Sequence, residues 1–381
     1  MIPHLSGRIP ATTALRIQLQ HAGVEYSEPL LFLLAGGVGA GVFSFVYEKE
    51  DVATLFLAGR HLWADDQAYL TAAAKRLGHR VVVKETTSAK AADDQLRAAL
   101  DEGHPVIAWV DLAHLPYRAA PARLSGGGYH VLTVYSIDGD SALVGDLAPK
   151  PVSIPLRDLG IARQRIAKQR NRLLWLERPA GKSAGKPPTR QALVDEAIAA
   201  CAGTLNKAKM VNFRLDAFQE LADRMAGSNK ESWALMFPPG GRMWTALTSL
   251  HDCITNYFTG GGLCRIIFAE GLREAGLPRA ADLYAELGTQ WNRTAALALP
   301  DINSVCMEAR DLLNRKAALT GGGGSVREIR ACWERLDRLT AEARKKFPLP
   351  AAEAAALRGE LAHQMRDLFV RETAALAALT R

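Results

Sequence analysis

The stretch that decides the fold of the first half of this chain is YHVLTVYSIDGDSALVGDLAP, which runs from Tyr129 to Pro149. The apolar residues on both sides of residues 138–140 indicate two β-strands. The Asp-Gly pair between them tolerates the positive φ of a tight turn, so the strands are predicted to form an antiparallel hairpin. His130 begins the first strand and Asp146 ends the second, which places the two residues roughly opposite each other.

The predicted His130–Asp146 pair has two interpretations. A carboxylate can fix the tautomer of an imidazole and stabilise its cation, as a general base requires. The alternative is a structural hydrogen bond at the end of a hairpin, and spacing alone favours this alternative.

The length of 381 residues predicts two domains. The pattern of apolar residues also changes along the sequence. Residues 1–178 mix helical patterns with β-rich runs, and residues 51–79 among them are predicted to contain helices. Residues 179–190, rich in Pro, Gly, Lys and Ser, are predicted to be a linker. Residues 191–381 show helical spacing of apolar residues. The predicted class is α+β, with an antiparallel sheet in the first domain and an all-helical second domain.

The charge and cysteine content restrict the function. A net charge of +7 favours an acidic partner, but no dense Lys/Arg run with interleaved aromatics points to nucleic acid. The five cysteines are widely spaced without a CxxC pair, which argues against disulfides and zinc and favours a reducing cytoplasm. No metal-ligand cluster or nucleotide-binding motif is found, so no cofactor is expected. The uncharged stretch Pro29–Tyr47 is rich in glycine and alternates like a strand, so a buried strand is predicted rather than a membrane span.

Three segments in order resemble one known family: IPHLSGRIPATTALRIQLQHAG (residues 2–23), DEGHPVIAWVDLAHLPY (101–117) and the hairpin. They are similar to the N-terminal domain of the butirosin biosynthesis protein H-like family, and the helical half resembles the partner domain usually fused to it. The resemblance implies a papain-like cysteine-protease-type fold. It also implies an acyltransferase that moves an acyl group from an acyl carrier protein thioester onto an amine.

The resemblance is incomplete at the nucleophile. Family members read Pro-His-x-x-Gly-x-His-Cys near the start, and Pro3, His4 and Gly7 match this pattern, whereas Ile9 and Pro10 stand where the family has His and Cys. A helix N-terminus lowers the pKa of a thiol, but proline supplies only the helix start. The matches at Ser27–Glu28, residues 111–117, His130 and Asp146 remain, so the resemblance implies the fold without the covalent step.

Without that cysteine, three functions stay open. In the first, His130, oriented by Asp146, is the base for direct attack on a carrier-protein thioester, and the backbone N–H groups of Ala11 and Thr12 stabilise the oxyanion. The reaction is then condensation, cyclisation or amide formation, with thioester or amide hydrolysis as the alternative.

In the second, Thr12 or Thr13 replaces the cysteine, although helix capping is the simpler role for a threonine there. Cys264 of the helical domain is a further candidate thiol, with packing as a small core residue as its alternative. In the third, the protein is a non-catalytic relative that binds a carrier protein or a product.

The remaining candidates surround the dyad. Glu28 is either a buried acid of the site or a structural hydrogen-bonding group. Tyr117 and Tyr129 are predicted to line the substrate pocket, with aromatic packing as the alternative. The expected partners are an acyl or peptidyl carrier protein and a small-molecule acceptor or product. Neither nucleic acid nor a membrane is expected, and a homodimer is left open.

Overall fold

The computed structural model describes residues 4–177 and 188–380. The chain divides into two compact units, and each unit draws on separate segments of sequence. Unit 1 comprises residues 1–35, 65–193 and 318–333, and unit 2 comprises residues 36–64, 194–317 and 334–381. The predicted linear boundary between residues 178 and 191 stays a prediction, and residues 179–187 of the predicted linker lie outside the described residues.

The strands are β1 (Val38–Tyr47), β2 (Val52–Arg60), β3 (Arg80–Lys84), β4 (Val106–Asp111), β5 (Tyr129–Asp138), β6 (Ser141–Gly145), β7 (Val152–Pro155) and β8 (Leu173–Glu177). The helices are α1 (Pro10–His21), α2 (Glu28–Leu34), α3 (Asp66–Arg76), α4 (Ala89–Asp101), α5 (Leu156–Gln164), α6 (Arg190–Lys207), α7 (Asp216–Ala226), α8 (Trp233–Met236), α9 (Gly241–Thr255), α10 (Arg265–Glu274), α11 (Pro278–Ala298), α12 (Ser304–Gly322), α13 (Val326–Lys345) and α14 (Ala351–Leu379). Short 3-10 turns join several of them.

Unit 1 is built on a six-stranded antiparallel sheet in the order β3-β8-β4-β5-β6-β7. The predicted hairpin is its β5–β6 pair, in which Asp138 faces Ser141 and Gly139 has a φ of 54°. Helix α1 begins with a proline, whose fixed φ suits a first helical position, and packs against β4, β5 and β8. The predicted α+β arrangement with an antiparallel sheet is therefore confirmed within this unit.

Unit 2 combines helices with the β1–β2 hairpin. Asn212 Nδ2 donates to the carbonyl of Val42 at 2.6 Å, and the Ala53 amide donates to Thr245 Oγ1 at 2.8 Å. The described residues from 190 onward contain no strand, which confirms the helical second half. The prediction of helices in residues 51–79 is wrong for Val52–Arg60, which form β2, and right for α3.

The stretch Pro29–Tyr47 contains most of α2 and the whole of β1, so the predicted strand is present but the helix before it was not predicted. Among the helices of residues 4–177 and 188–380, none has the length and apolar character needed to cross a membrane.

Candidate functional site

The β5–β6 hairpin brings His130 and Asp146 into contact. His130 Nε2 lies 3.0 Å from Asp146 Oδ2. The strand register explains this contact. Because Thr133 faces Gly145, His130 and Asp146 lie at the same end of the hairpin. The amide of Leu147 donates to the other carboxylate oxygen at 2.9 Å and fixes its orientation. The predicted hydrogen-bonded pair is thus present.

Two further side chains, Tyr117 and Arg118, bind the same carboxylate. Arg118 Nη2 donates to Asp146 Oδ2 at 2.5 Å and lies 3.2 Å from His130 Nε2. The Tyr117 hydroxyl donates to the same oxygen at 2.8 Å. We call His130, Asp146, Arg118 and Tyr117 the dyad network. Tyr117 therefore contacts Asp146, while its place in a substrate pocket stays a prediction. Arg118 was not among the predicted site residues.

The charge of Asp146 is strongly held. Burial by itself raises the pKa of this carboxyl. The adjacent Arg118 guanidinium and His130 together lower the pKa by more than burial raises it, so the pKa lies well below its usual value. Burial followed by the Asp146 charge raises the pKa of the Tyr117 phenol well above 10. At neutral pH Asp146 is therefore a carboxylate, and Tyr117 is a neutral donor to it.

The proton position on His130 follows from its partners. The Asp146 contact requires a proton on Nε2, whereas an Arg118 hydrogen bond would require a lone pair on the same atom. The ionised carboxylate favours the Nε2–H tautomer, which puts the lone pair on Nδ1. Nδ1 is therefore the atom that would accept a proton from a substrate. The His130 side chain is 0% exposed in this conformation, so a substrate reaches it only if neighbouring groups move.

The loop between β4 and β5 is folded around a buried carboxylate at its base. Asp111 accepts hydrogen bonds from the amides of Ala113 at 3.1 Å and Gly126 at 2.6 Å. The Leu112 amide donates to the carbonyl of Gly128 at 2.8 Å. A side chain on Gly128 would collide with the Asp111 carboxylate, which explains the glycine. These contacts close the loop that carries Tyr117 and Arg118.

The start of α1 is occupied by the carboxylate of Glu28. Its Oε1 accepts from the amides of Arg8 and Ile9 at 2.8 and 2.9 Å, and from the Thr13 hydroxyl at 3.2 Å. A carboxylate is stabilised at the positive end of a helix. Glu28 is thus a hydrogen-bond acceptor at the start of α1, and its role as an acid of the site stays a prediction.

The threonines of α1 are also engaged in hydrogen bonds. The buried Thr12 hydroxyl lies 2.8 Å from Tyr69 OH, and the Thr13 hydroxyl donates to the Ile9 carbonyl at 2.9 Å. Both hydroxyls thus have structural partners, which does not support a nucleophilic role for either. Ala11, predicted as an oxyanion donor, is buried in the first turn of α1.

Two predicted site residues remain, Tyr129 in unit 1 and Cys264 in unit 2. Tyr129 begins β5 and is 50% exposed. Cys264 lies in unit 2, buried, in a left-handed conformation before α10. All five cysteines are buried, and within the described residues none of them forms a disulfide. Burial raises the pKa of both Cys201 and Cys253 to about 12, so these thiols are poor sources of a thiolate.

His4, which matches the family pattern, bridges two segments of unit 1. Its Nδ1 lies 2.9 Å from Tyr135 OH, and its Nε2 lies 2.7 Å from the carbonyl of Ala148. It therefore ties the N-terminal segment to β5 and to the residues that follow Asp146.

The part of the chain that the structure describes has no group of three or more His, Cys, Asp or Glu residues suited to a metal ion. The dyad network, with one histidine and one carboxylate, is an acid–base arrangement.

One family model and several solved structures, two of them peptidases or peptidase domains, are similar to this chain. A C39-like peptidase from Bacillus anthracis aligns with 15% identity and a TM-score of 0.34, over 47% of this chain and 96% of that one. The peptidase domain of Streptococcus ComA, a bifunctional ABC transporter of a quorum-sensing pathway, aligns with 17% identity and a TM-score of 0.29, over 47% of this chain and 97% of that domain. No curated protein matches the sequence.

The family comparison covers the elements that build the dyad network. The family model described as butirosin biosynthesis protein H, N-terminal, matches residues 10–147, from the first residue of α1 to the residue after Asp146. Over residues 10–147, this chain is therefore similar to the N-terminal domain of butirosin biosynthesis protein H.

Proposed function

We propose that this protein transfers an acyl group from a carrier-protein thioester in a single displacement, with His130 as general base. Family and fold indicate an enzyme-like biosynthetic function related to the cysteine-protease fold. The observation that carries the finer proposal is the 3.0 Å contact between His130 Nε2 and the Asp146 carboxylate. A histidine oriented in this way can remove a proton from an attacking amine.

The proposed step needs no covalent intermediate. The amine nitrogen of the acceptor attacks the thioester carbonyl carbon, and its proton passes to His130 Nδ1. The tetrahedral intermediate then collapses, the C–S bond breaks, and the proton passes to the departing carrier-protein thiolate. Because a thioester is already activated, orientation and charge stabilisation supply much of the rate.

Asp146 and Arg118 have distinct parts in this proposal. Asp146 holds the imidazole in the Nε2–H tautomer and stabilises the imidazolium while it carries the proton. Arg118 and Tyr117 hold Asp146 ionised and in place. They act through the carboxylate, so they are positioning residues.

A second candidate function is favoured by the enclosure of the ring. The His130 side chain has no exposed surface, and Asp146 shares its charge with Arg118. A network of this kind also suits a protein that binds a carrier protein or product without turning it over. We therefore keep non-catalytic binding as the alternative.

The test measures discharge of an acylated carrier protein by intact mass, with small amines as acceptors. We expect His130→Gln to lower the rate by a factor of about 10²–10⁴, the usual contribution of a general base. The matched control is His114→Gln, because His114 bonds Ser125 at 2.9 Å and lies outside the dyad network. We expect this control to keep the wild-type rate.

Two outcomes would reject the proposal. Equal rates of carrier-protein discharge by the wild type and His130→Gln would show that His130 is not the general base. Comigration of the carrier protein with the wild-type protein, without discharge above buffer, would establish the binding alternative instead.

A further inference from the structure

A cavity of unit 1 lies outside the dyad network. Its volume is ≈ 40 Å³, and it lies where the first turn of α4 meets α5. Its lining includes Ala89 and Ala92 of α4, and Leu159 and Arg163 of α5. A space of this size holds a few water molecules or one small ion, since one water needs about 10–15 Å³.

The guanidinium of Arg163 is the charged group of this cavity. Arg163 is 3% exposed, and its Nη2 donates to the carbonyls of Ala92 at 3.1 Å and Asn171 at 3.3 Å. Within residues 4–177 and 188–380, its Nε has no hydrogen-bond partner, and the guanidinium forms no ion pair with a carboxylate. Burial lowers the pKa of Arg163 to about 10, with Asp93 opposing this shift, so the group remains charged at neutral pH.

A nearby negative charge would stabilise a buried cation of this kind. An uncompensated buried charge destabilises the fold, because neutral carbonyls replace only part of its hydration. Asp93 also lines the cavity, but its carboxylate pairs with Arg97 at 2.8 Å and its side chain is 44% exposed. Solvent therefore screens Asp93, and the charge of Arg163 is left largely uncompensated.

The first turn of α4 adds a second attraction for an anion. Helix α4 has 13 residues, and Ser88 caps it by accepting from the Ala91 amide at 3.3 Å. Its first-turn residues Ala89 and Ala92 line the cavity. The positive end of the helix dipole and the guanidinium therefore act on the same small space.

We infer that this cavity binds a monovalent anion of about the size of chloride beside Arg163. The buried guanidinium and the start of α4 select negative charge. The volume selects a small ion over a bulky organic anion. The site would stabilise unit 1 independently of the proposed acyl transfer.

The test compares thermal unfolding in sodium chloride and in sodium gluconate at equal concentration. Gluconate is larger than the cavity, so it controls for ionic strength. We expect chloride to give a saturable rise in Tm of about 1–3 °C over gluconate, as mass action predicts for weak binding to the folded state. Arg163→Met should remove this rise, whereas Arg157→Met should keep it, because Arg157 lies on the same helix with its side chain 84% exposed.

A second measurement uses the wild-type protein, in case Arg163→Met does not fold. Crystals grown or soaked in bromide should show an anomalous peak in contact with the Arg163 guanidinium. Equal Tm values in chloride and gluconate, a chloride effect that persists in Arg163→Met, or bromide crystals without this peak would each overturn the inference.

Discussion

Each unit contains a buried arginine–carboxylate pair, and the two pairs differ in what surrounds the carboxylate. In unit 1, Asp146 binds Arg118, Tyr117 and His130. In unit 2, Glu372 binds Arg265 at 2.6 Å and accepts from the Trp291 indole at 2.7 Å. The first carboxylate thus contacts an imidazole, which can both accept and donate a proton, whereas the hydrogen bonds given for the second come from a guanidinium and an indole, which only donate.

The environment of the second pair is that of a structural element. Arg265 also donates to the carbonyls of Leu263 at 2.6 Å and Gly39 at 3.1 Å, and it is 0% exposed. Its hydrogen bonds therefore join the glycine-rich turn before α10, the β1 strand and α14. The comparison shows that a buried ion pair alone does not mark an active site. The histidine is what gives the pair in unit 1 a chemical capability.

The largest expected effect comes from breaking the unit 2 pair. Arg265→Met leaves Glu372 buried without its counter-charge, and we expect a loss of about 3–5 kcal/mol in the free energy of unfolding by denaturant titration. The double variant Arg265→Met/Glu372→Gln removes both charges and keeps an acceptor for Trp291, so it should be more stable than the single variant. A double variant no more stable than the single one would show that charge pairing does not explain the loss.

In unit 1, we expect one substitution to lower mainly the stability and another to lower mainly the rate of acyl transfer. Asp146→Asn leaves Arg118 buried without a counter-charge and should lower the free energy of unfolding by about 3 kcal/mol. His130→Gln keeps the Arg118–Asp146 pair and should cost less stability while it removes turnover. Denaturant titration of both variants checks this. A larger loss in the free energy of unfolding for His130→Gln than for Asp146→Asn would show that His130 stabilises unit 1 more than the Arg118–Asp146 pair does.

The pH dependence of stability tests the charge of Asp146. Its pKa is lowered in the folded state, so its contribution is present above the unfolded-state pKa of about 4 and is lost as pH falls towards the folded-state value. We expect the free energy of unfolding of the wild type to fall below about pH 4. The slope should be smaller in Asp146→Asn, and identical slopes would contradict the assignment.

The smallest expected effect concerns Thr12, the proposed alternative to a cysteine nucleophile. Thr12→Val removes the contact with Tyr69 and should cost about 1–2 kcal/mol of stability, because the Tyr69 hydroxyl is left buried without this partner. Discharge of an acylated carrier protein should continue at close to the wild-type rate. Loss of turnover in folded Thr12→Val would make this threonine the nucleophile after all.

Local sequence signals predicted the part of the site that depends on strand register. An Asp-Gly turn and flanking alternation fix which residues of β5 and β6 face each other, so the His130–Asp146 contact could be predicted. Arg118 could not, because it lies in an irregular loop closed by Asp111 and ends a 3-10 turn before the left-handed Ala119. Such a loop has no periodicity from which the burial of its residues can be inferred.

The errors in the fold have a similar origin. Val52–Arg60 was predicted as part of a helical segment, but its last four residues are all buried, so the strand lacks clean alternation. Glu28 stayed open because its partners at the start of α1 are some 20 residues away in sequence. Tertiary contacts of this kind decide between a site residue and a structural one, and they leave no local pattern.

The central claim, transfer in one displacement without a covalent intermediate, is tested most directly by the mass of the protein itself during a single turnover. Acylated carrier protein and an amine acceptor are mixed with excess protein, quenched at short times and analysed by intact mass. The account predicts that the acyl group moves from carrier protein to acceptor while the protein keeps its unmodified mass throughout. A transient acyl adduct on the protein, whether on Thr12, Cys264 or another side chain, would contradict it.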